Sequence, residues 1–462
     1  MNWAADELRW LRLPDLRLVR RVQRVVELLA EKPTASVPVA CGNWADTKAT
    51  YRLWSSARVS AKAIQDAHVK RTVERASQGD DVILAIQDTT QLDFTTHPGT
   101  TGLGPIGRSF VRGLMVHTTM AASAEGVPLG MLDQQVWARP EPEEGQISHR
   151  RQRATADKES QVWLNGLASA QQVVAPGQRM VVVADRGADI YDLFTAPRRE
   201  GVDLLIRAEY NRRILEEDGH VWDAVRAAQV GGQATVAVSR IKGRLQRDAA
   251  VTYRWESVTV RPPHRGTRPD SSTVKLTAVL VEEEQPPEGV APICWRLLTT
   301  LPVTTFEVAQ RVVRWYTLRW LIERYHYVLK SGCGIEDLQL EDSERLTRAL
   351  ATYSIVAWRL LWLTHLARET PEAPCTSALS TSEWQALHCT IHRTPTPPDH
   401  PPSLRQAIRW IAQLGGFLGR KGDGEAGVKS IWRGLQRLND ITATWVLLHP
   451  APGPPPAGQS YG

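Results

Sequence analysis

Three carboxylates in separate parts of the chain have the chemistry of a divalent-cation site. Asp88 ends the apolar run VILAIQD and Asp185 ends MVVVAD, and both runs are typical of strands buried on both faces of a sheet. The ends of such strands form the usual ligand rim of an α/β sheet, although either aspartate alone is more often a cap or turn residue. Glu323 comes from a helical pattern much later in the chain. Three gathered carboxylates repel one another unless a cation such as Mg²⁺ or Mn²⁺ is bound, so the set predicts two-metal phosphoryl transfer.

A second pattern surrounds the glutamate, in the stretch WYTLRWLIERYHYVLK at residues 315–330. At about 100° per residue, Tyr316, Arg319, Glu323 and Lys330 fall on one narrow stripe of a single predicted helix. A solvated helix face would scatter its charges more broadly. We therefore interpret the stripe as a surface that meets a charged ligand.

Together these motifs resemble the DDE transposases of insertion-sequence family four. The resemblance rests on AIQDTT, VADRGADI and the Y-x-x-R-x-x-x-E-x-x-x-x-x-x-K pattern, and it extends from ATYRLW through HPGTTGLGPIG and QQVWARP to LGGF. It implies a ribonuclease-H-like mixed α/β core with a β insertion before the glutamate. It also implies that Asp88, Asp185 and Glu323 are both the catalytic and the metal-binding residues, with two Mg²⁺ ions per active site that Mn²⁺ can replace.

The resemblance assigns DNA-contacting roles to further residues. Tyr316, Arg319 and Lys330 match residues that hold DNA phosphate beside the cleaved bond, a role that suits a phenol, a guanidinium and an ammonium. Trp295 in ICWRLL matches a residue that stacks on a flipped base. The chain has 17 tryptophans, so a core position for Trp295 stays open.

The function implied by the resemblance is cut-and-paste DNA transposition. The enzyme would nick the transposon ends, excise the element through a hairpin and insert it into target DNA, acting as a homodimer in the DNA complex. Its partners would be double-stranded DNA ends and target DNA, without a membrane or a nucleotide cofactor, in a cytoplasmic, nucleoid-associated setting. A host nuclease on the same core and a domesticated or inactive DNA-binding protein remain alternatives.

Composition supports this interpretation only weakly. The net charge of +6 and the pI near 9.1 suit a polyanionic partner, but many enzymes are mildly basic. The five cysteines are odd in number and show no C-x-x-C spacing, which argues against a zinc site or a disulfide framework. Arg359 interrupts the most apolar segment, so we expect no membrane span. The match of GLGPIG to a dinucleotide fingerprint lacks a following helix and is rejected.

Residues 1–78 are predicted to form a helical DNA-binding domain. Asp15 is a plausible N-cap of a helix with one apolar face and one face crowded with arginines. The basic face could simply be solvated, but its density favours contact with the phosphate backbone. The predicted DNA contacts are Arg17, Arg20, Arg21, Lys48, Tyr51 and Arg52.

The remaining chain divides into two further predicted domains. Residues 79–368 form the catalytic domain, with a hairpin turn at Gly126 and an all-β insertion at about 210–303. Residues 369–462 form a C-terminal helical dimerisation region with proline-rich loops and a disordered tail. The charged stretch at 140–160 is longer than the resemblance leads us to expect, which leaves the DNA contacts around Arg150 to Arg153 undecided.

Overall fold

The computed structural model describes residues 3–79, 82–107, 110–141, 155, 158–238, 247–263, 273–420 and 423–449. The DNA contacts considered around Arg150 to Arg153 and the predicted disorder of the C-terminal tail lie outside these residues.

One mixed sheet of ten strands organises the described part of the chain. The strands are β1 (Val82–Asp93), β2 (Gly104–Pro105), β3 (Arg112–Ser123), β4 (Pro128–Trp137), β5 (Arg179–Ala184), β6 (Val202–Arg207), β7 (Gly232–Val238), β8 (Arg247–Val260), β9 (Val274–Glu282) and β10 (Cys294–Thr299). Their order is β2-β3-β1-β5-β6-β10-β9-β8-β7, with β4 also paired to β3. As predicted, β3 and β4 form a hairpin, which turns at Gly126 with φ of 103°.

The catalytic half of the sheet has the mixed pattern of a ribonuclease-H-like core. β1, β5 and β6 run parallel, while β3 and β4 form an antiparallel meander beside β1. Apolar side chains fill both faces of the parallel strands, which explains their nearly continuous hydrophobic runs. The predicted fold class is therefore confirmed.

The predicted β insertion continues this sheet instead of forming a separate layer. β10 pairs antiparallel with β6, and β9, β8 and β7 follow in antiparallel order. The segment predicted as all-β also contains the short helix α8 (Val221–Ala227).

Helices flank the sheet in chain order. The N-terminal helices are α1 (Trp3–Glu7), α2 (Leu16–Glu31), α3 (Val37–Cys41), α4 (Trp44–Ser55) and α5 (Ala61–Ser77); α6 (Gln161–Val173) and α7 (Tyr191–Thr195) precede α8; the later helices are α9 (Phe306–Thr317), α10 (Trp320–Tyr327), α11 (Ser343–Glu369), α12 (Thr381–His392), α13 (Leu404–Leu414) and α14 (Val428–Leu448). Asp15 caps α2 as predicted, because its side chain accepts from Arg17 N at 2.8 Å. None of the described helices is long and apolar enough to cross a membrane.

A buried charge network attaches the N-terminal helices to the core. Glu7 accepts from His68 Nδ1 at 2.6 Å and pairs with Arg75 Nη1 at 2.7 Å. His68 Nε2 accepts from the backbone N–H of Met131 in β4, and the Arg75 guanidinium lies 4.2 Å from the ring centre of Trp358 in α11. Burial alone would raise the pKa of Glu7, but His68 and Arg75 outweigh it and lower the pKa to about 2. The carboxylate is therefore charged and holds α1, α5 and the core together.

Candidate active site

Asp88 and Asp185 meet where the parallel pairing of two strands ends. Gln87 in β1 is level with Ala184, the last residue of β5, so the two aspartates follow at the same edge. Asp185 caps a short 3₁₀ turn and accepts from Gly187 N at 2.8 Å. The prediction that Asp88 ends its strand is wrong, because β1 continues to Asp93 along β3 alone. Asp88 therefore lies where β1 loses its neighbour β5 and the sheet narrows, a position that we call the step in the sheet.

The electrostatics of Asp88 show that the predicted groups are gathered around it. Burial raises the pKa of Asp88 to about 7, with a further contribution from the negative charge of Asp185 and a smaller one from Glu323. The N–H of Thr89, which donates to Asp88 Oδ1 at 2.9 Å, and the guanidinium of Arg319 act in the opposite direction. A buried carboxylate that faces two others favours a compensating cation. The oxygen-only donor set fits Mg²⁺ or Mn²⁺.

The helix that carries Glu323 is not the single helix predicted from the sequence. α9 ends at Thr317, and the chain passes into α10 through a tight turn in which Arg319 N donates to Tyr316 O at 3.0 Å. After α10, residues 328–332 widen into a π-helical turn, with Cys333 N donating to Val328 O at 2.8 Å. Such π turns often occur at functional sites. This one contains Lys330.

Tyr316 and Arg319 lie below the surface and do not form the open stripe that we expected. Tyr316 is 3% exposed and Arg319 is 7% exposed. Arg319 Nη2 pairs with Glu323 Oε1 at 2.5 Å. Within the described residues, the Tyr316 hydroxyl and Arg319 Nε have no hydrogen-bond partner. Buried donors without partners are costly, so both are available for an incoming acceptor.

Lys330 is also held by an acid. Its Nζ lies 3.2 Å from Glu336 Oε1, and the same oxygen accepts from Asp93 N at 2.8 Å. The backbone carbonyl of Glu336 is in turn bonded to His97 Nε2 at 2.9 Å. The ammonium is therefore fixed beside the end of β1, on the strand that carries Asp88.

Two residues near the site were not recognised from the sequence. His326 lies with Nδ1 3.8 Å from Asp88 Oδ2, and burial lowers its pKa to about 3. Arg207 ends β6, one residue after the pairing of Ile206 with Ala184, and its guanidinium donates to the Cys294 carbonyl at 3.3 Å. Two features of the sequence could have pointed to these residues. His326 follows Glu323 by three positions on a helix, and Arg207 follows the apolar part of a predicted strand.

Trp295 lies outside this cluster of contacts. It sits in β10 opposite Val281 and is half-buried against the main hydrophobic core. This position leaves part of the indole accessible, so the predicted base-stacking role stays a prediction.

No ready-made metal cage is present in the described residues, since no three His, Cys, Asp or Glu side chains are grouped to hold one ion. Glu323 is instead paired with Arg319, whose Nη2 lies 2.5 Å from Glu323 Oε1. Asp88, Asp185 and Glu323 have the right chemistry for a metal site and lie near enough to influence one another, but in this arrangement the three do not form a group that could hold one ion.

Three of the six predicted DNA contacts of the N-terminal module line a groove between α2 and α4. This open groove of about 540 Å³ is lined by Arg21, Lys48, Arg52 and the 75% exposed Trp44, among others. The six predicted contacts differ in their partners: Arg17 pairs with Asp15 at 3.0 Å, Arg21 pairs with Asp46 at 2.8 Å, Tyr51 packs edge-on against Trp54, and Arg20, Lys48 and Arg52 are exposed. The last three are the best placed to meet phosphate.

Protein-family comparisons match three regions of the chain. A transposase DNA-binding family matches residues 1–59, a transposase DDE domain matches residues 158–359, and a transposase Tn5 dimerisation domain matches residues 355–444. The chain is a DDE transposase. It resembles the Tn5 transposase and, as a DDE enzyme, is a metal-dependent endonuclease and strand transferase.

The matched regions relate directly to the geometry above. The DNA-binding match contains the basic groove of the transposase, and the DDE match contains Asp185 and Glu323, whereas Asp88 precedes that match. The dimerisation match runs from within α11 to α14. DNA binding and homodimer formation follow from these two flanking matches, and they favour a transposase over a host nuclease.

The raised pKa of Asp88 predicts a pH-dependent cost in the metal-free transposase. The pKa of Asp88 in the folded protein is about 7, above the ordinary 3.8. The free energy of unfolding of wild type should therefore fall relative to that of Asp88→Asn as the pH rises from about 4 to about 7, and the difference should stay constant at higher pH. The full loss is at most about 4 kcal/mol, at about 1.4 kcal/mol per unit. Thermal unfolding in EDTA between pH 5 and 8 measures the gap. Asp93→Asn is the control: Thr95 lowers the pKa of Asp93, so the difference in stability between wild type and this variant should not change over the same pH range. A pH-independent difference for Asp88→Asn would contradict the prediction.

The basic groove predicts a defined salt dependence of DNA binding. Lys48→Ala and Arg52→Ala should each weaken binding to the element's end and reduce the slope of log K against log salt by about 1, because each loses one phosphate contact. Gel-shift titrations at several salt concentrations provide the slope. Lys62→Ala, on α5 and already paired with Asp66, is the matched control and should keep the wild-type slope. Unchanged slopes for the first two variants would place the DNA elsewhere.

Proposed function

We propose that this enzyme is a cut-and-paste transposase of insertion-sequence family four that excises and inserts its element with one active site per subunit. The observation that carries the proposal is that Asp88 and Asp185 follow paired strands at one edge of the sheet, with Glu323 and its partner Arg319 near enough to influence Asp88. Asp88, Asp185 and Glu323 would hold two Mg²⁺ ions, which stabilise the attacking and leaving oxygens of an in-line displacement at phosphorus.

The protein groups around this site fit the handling of a DNA strand. Arg319 offers a planar guanidinium for two phosphate oxygens, and Tyr316 directs an unpartnered hydroxyl from a rigid ring. Lys330 adds a point charge from the π turn beside β1. Together they would fix the scissile phosphate relative to the three carboxylates, and such orientation accelerates displacement.

A single site of this kind can serve the whole reaction sequence. Water first opens the strand at the transposon end, and the released 3′-OH attacks the opposite strand to give a hairpin. A second water opens the hairpin, and the same 3′-OH then attacks target DNA. Each step exchanges one oxygen for another at phosphorus, so the phosphate-holding residues keep one task throughout. The hairpin step is supported by family resemblance and by the partly accessible indole of Trp295.

The C-terminal helices are the proposed pairing surface of the homodimer. α14 ends with Val446, Leu447 and Leu448 at 48%, 81% and 71% exposure. Contiguous exposed apolar side chains commonly mark protein interfaces. The paired enzyme would act on the inverted-repeat ends of its element and on target DNA in the nucleoid.

Two substitutions, one in α10 and one in the π turn that follows it, separate metal binding from phosphate holding. Glu323→Gln keeps the side-chain size but removes the charge that a divalent cation requires, so the variant should bind transposon ends and fail to nick them with Mg²⁺. Lys330→Ala keeps all three carboxylates and should cleave more slowly, by roughly 10²-fold as expected for lost positioning, with increased sensitivity to salt.

Parallel gel-shift and nicking assays on the element's own end DNA test both variants. Wild-type nicking by Glu323→Gln would exclude it as a metal ligand. Complete loss of end binding by Lys330→Ala would show that the lysine serves recognition rather than positioning.

Trp295 provides the test of the hairpin step. Trp295→Ala should nick normally and accumulate nicked ends with little hairpin, because base stacking contributes about 1–3 kcal/mol. Trp295→Phe should restore much of the hairpin yield, since it keeps an aromatic face. Denaturing gels over a Mg²⁺ series distinguish the products; a normal hairpin yield from Trp295→Ala would make the residue a packing residue.

A further inference from the structure

Each of the two cations proposed to hold phosphate is already occupied by an internal acid. Arg319 Nη2 lies 2.5 Å from Glu323 Oε1, and Lys330 Nζ lies 3.2 Å from Glu336 Oε1. The two acids differ in one respect: Glu323 belongs to the proposed metal triad, whereas Glu336 is bound to the backbone N–H of Asp93. Releasing Arg319 therefore changes the metal site, and releasing Lys330 does not.

The pair of Arg319 with Glu323 opposes metal binding in two ways. It occupies an oxygen that a cation would need, and it places a fixed positive charge beside the carboxylates. Arg319 is buried, with 9% of its side chain exposed, whereas 36% of the Glu323 side chain is exposed, so water screens the charge of Arg319 only in part. The lack of any assembled three-ligand group in the described residues agrees with this arrangement.

A DNA phosphate would reverse both effects. Arg319 is an i,i+4 neighbour of Glu323 and has an unpartnered, buried Nε, so a bidentate phosphate can satisfy that nitrogen and compete for the guanidinium. The freed glutamate then faces Asp88 and Asp185, and the phosphate charge cancels that of the arginine. Tyr316, with its unpartnered hydroxyl, supplies a second donor to the same phosphate.

We propose that Arg319 is an exchange residue that masks Glu323 until a DNA phosphate takes its place, so that DNA binding and metal binding strengthen each other. The proposal rests on the proposed function of the triad. Because coupling between two ligands is reciprocal, the metal must raise DNA affinity by the same factor as DNA raises metal affinity. The expected factor is about tenfold or more, within the usual range of about 5–150-fold.

Mn²⁺ binding without catalysis provides the test. Calorimetry or the paramagnetic resonance of free Mn²⁺ gives the Kd for the full-length protein without DNA. Arg319→Gln should bind Mn²⁺ about tenfold more tightly than wild type, and Arg319→Gln combined with Glu323→Gln should lose that gain. Arg314→Gln removes an equal charge from an exposed position on α9 and should match wild type, which controls for net charge.

A second arm keeps the test independent of the variant's folding. Wild-type protein is titrated with Mn²⁺ in the presence and absence of a short, already cleaved duplex of the element's terminal repeat. The duplex should tighten Mn²⁺ binding about tenfold, and Glu323→Gln should abolish this effect. The exchange would be overturned if the Glu323-dependent affinity for Mn²⁺ were the same with and without DNA, and the same in wild type and Arg319→Gln. That result would not contradict the metal-binding role of Asp88, Asp185 and Glu323. Absence of Glu323-dependent Mn²⁺ binding in every arm would overturn the metal assignment itself.

Discussion

Crowding of negative charge around Asp88 is the constraint on which the rest of the catalytic core depends. The strand register brings Asp88 level with Asp185, and the fold buries both beside a glutamate from a distant helix. Such an arrangement is unfavourable in the absence of cations, so the surrounding structure must hold it in place. The apolar, paired parts of the parallel strands β1 and β5 do this through their neighbours on both faces, because a one-residue slip would move every side chain to the other face.

The helix that supplies Glu323 is fixed by contacts on its opposite side. Tyr325, fully buried in α10, accepts a hydrogen bond from Gln134 Nε2 at 3.2 Å, and Gln134 in turn accepts from Ser354 of α11 at 3.0 Å. A buried polar network of this kind restricts a helix to one rotation about its axis, because any other leaves donors unpaired. α11 also contacts the N-terminal module, through Trp358 and Arg75. One helix therefore connects this module to the packing that positions α10.

Sequence patterns predicted what local periodicity encodes. The buried strands β1 and β5, the hairpin of β3 and β4 and the capped helix α2 follow from hydrophobic spacing, turn residues and capping residues. Hydrophobic spacing does not predict the break at Leu318 or the π turn at Lys330, because apolar residues continue through both and only the winding of the backbone changes. α12 lies between proline-rich segments, for which the sequence predicts loops. The capping box of Ser380 and Glu383 is the local signal of this helix. Burial of Tyr316 and Arg319 depends on tertiary packing, which periodicity does not report.

The cations of this transposase form two populations with different physical roles. On the N-terminal module, Arg20, Lys48 and Arg52 project into solvent, where their field attracts DNA over about a Debye length at modest cost. In the catalytic core, Arg319 is buried, Lys330 is half-buried and each is paired with an acid, which offsets the cost of removing a cation from water. The outer cations can therefore capture DNA before any inner pair opens. The inner cations respond only to a phosphate that reaches them, which confines the assembly of the reactive site to correctly seated DNA.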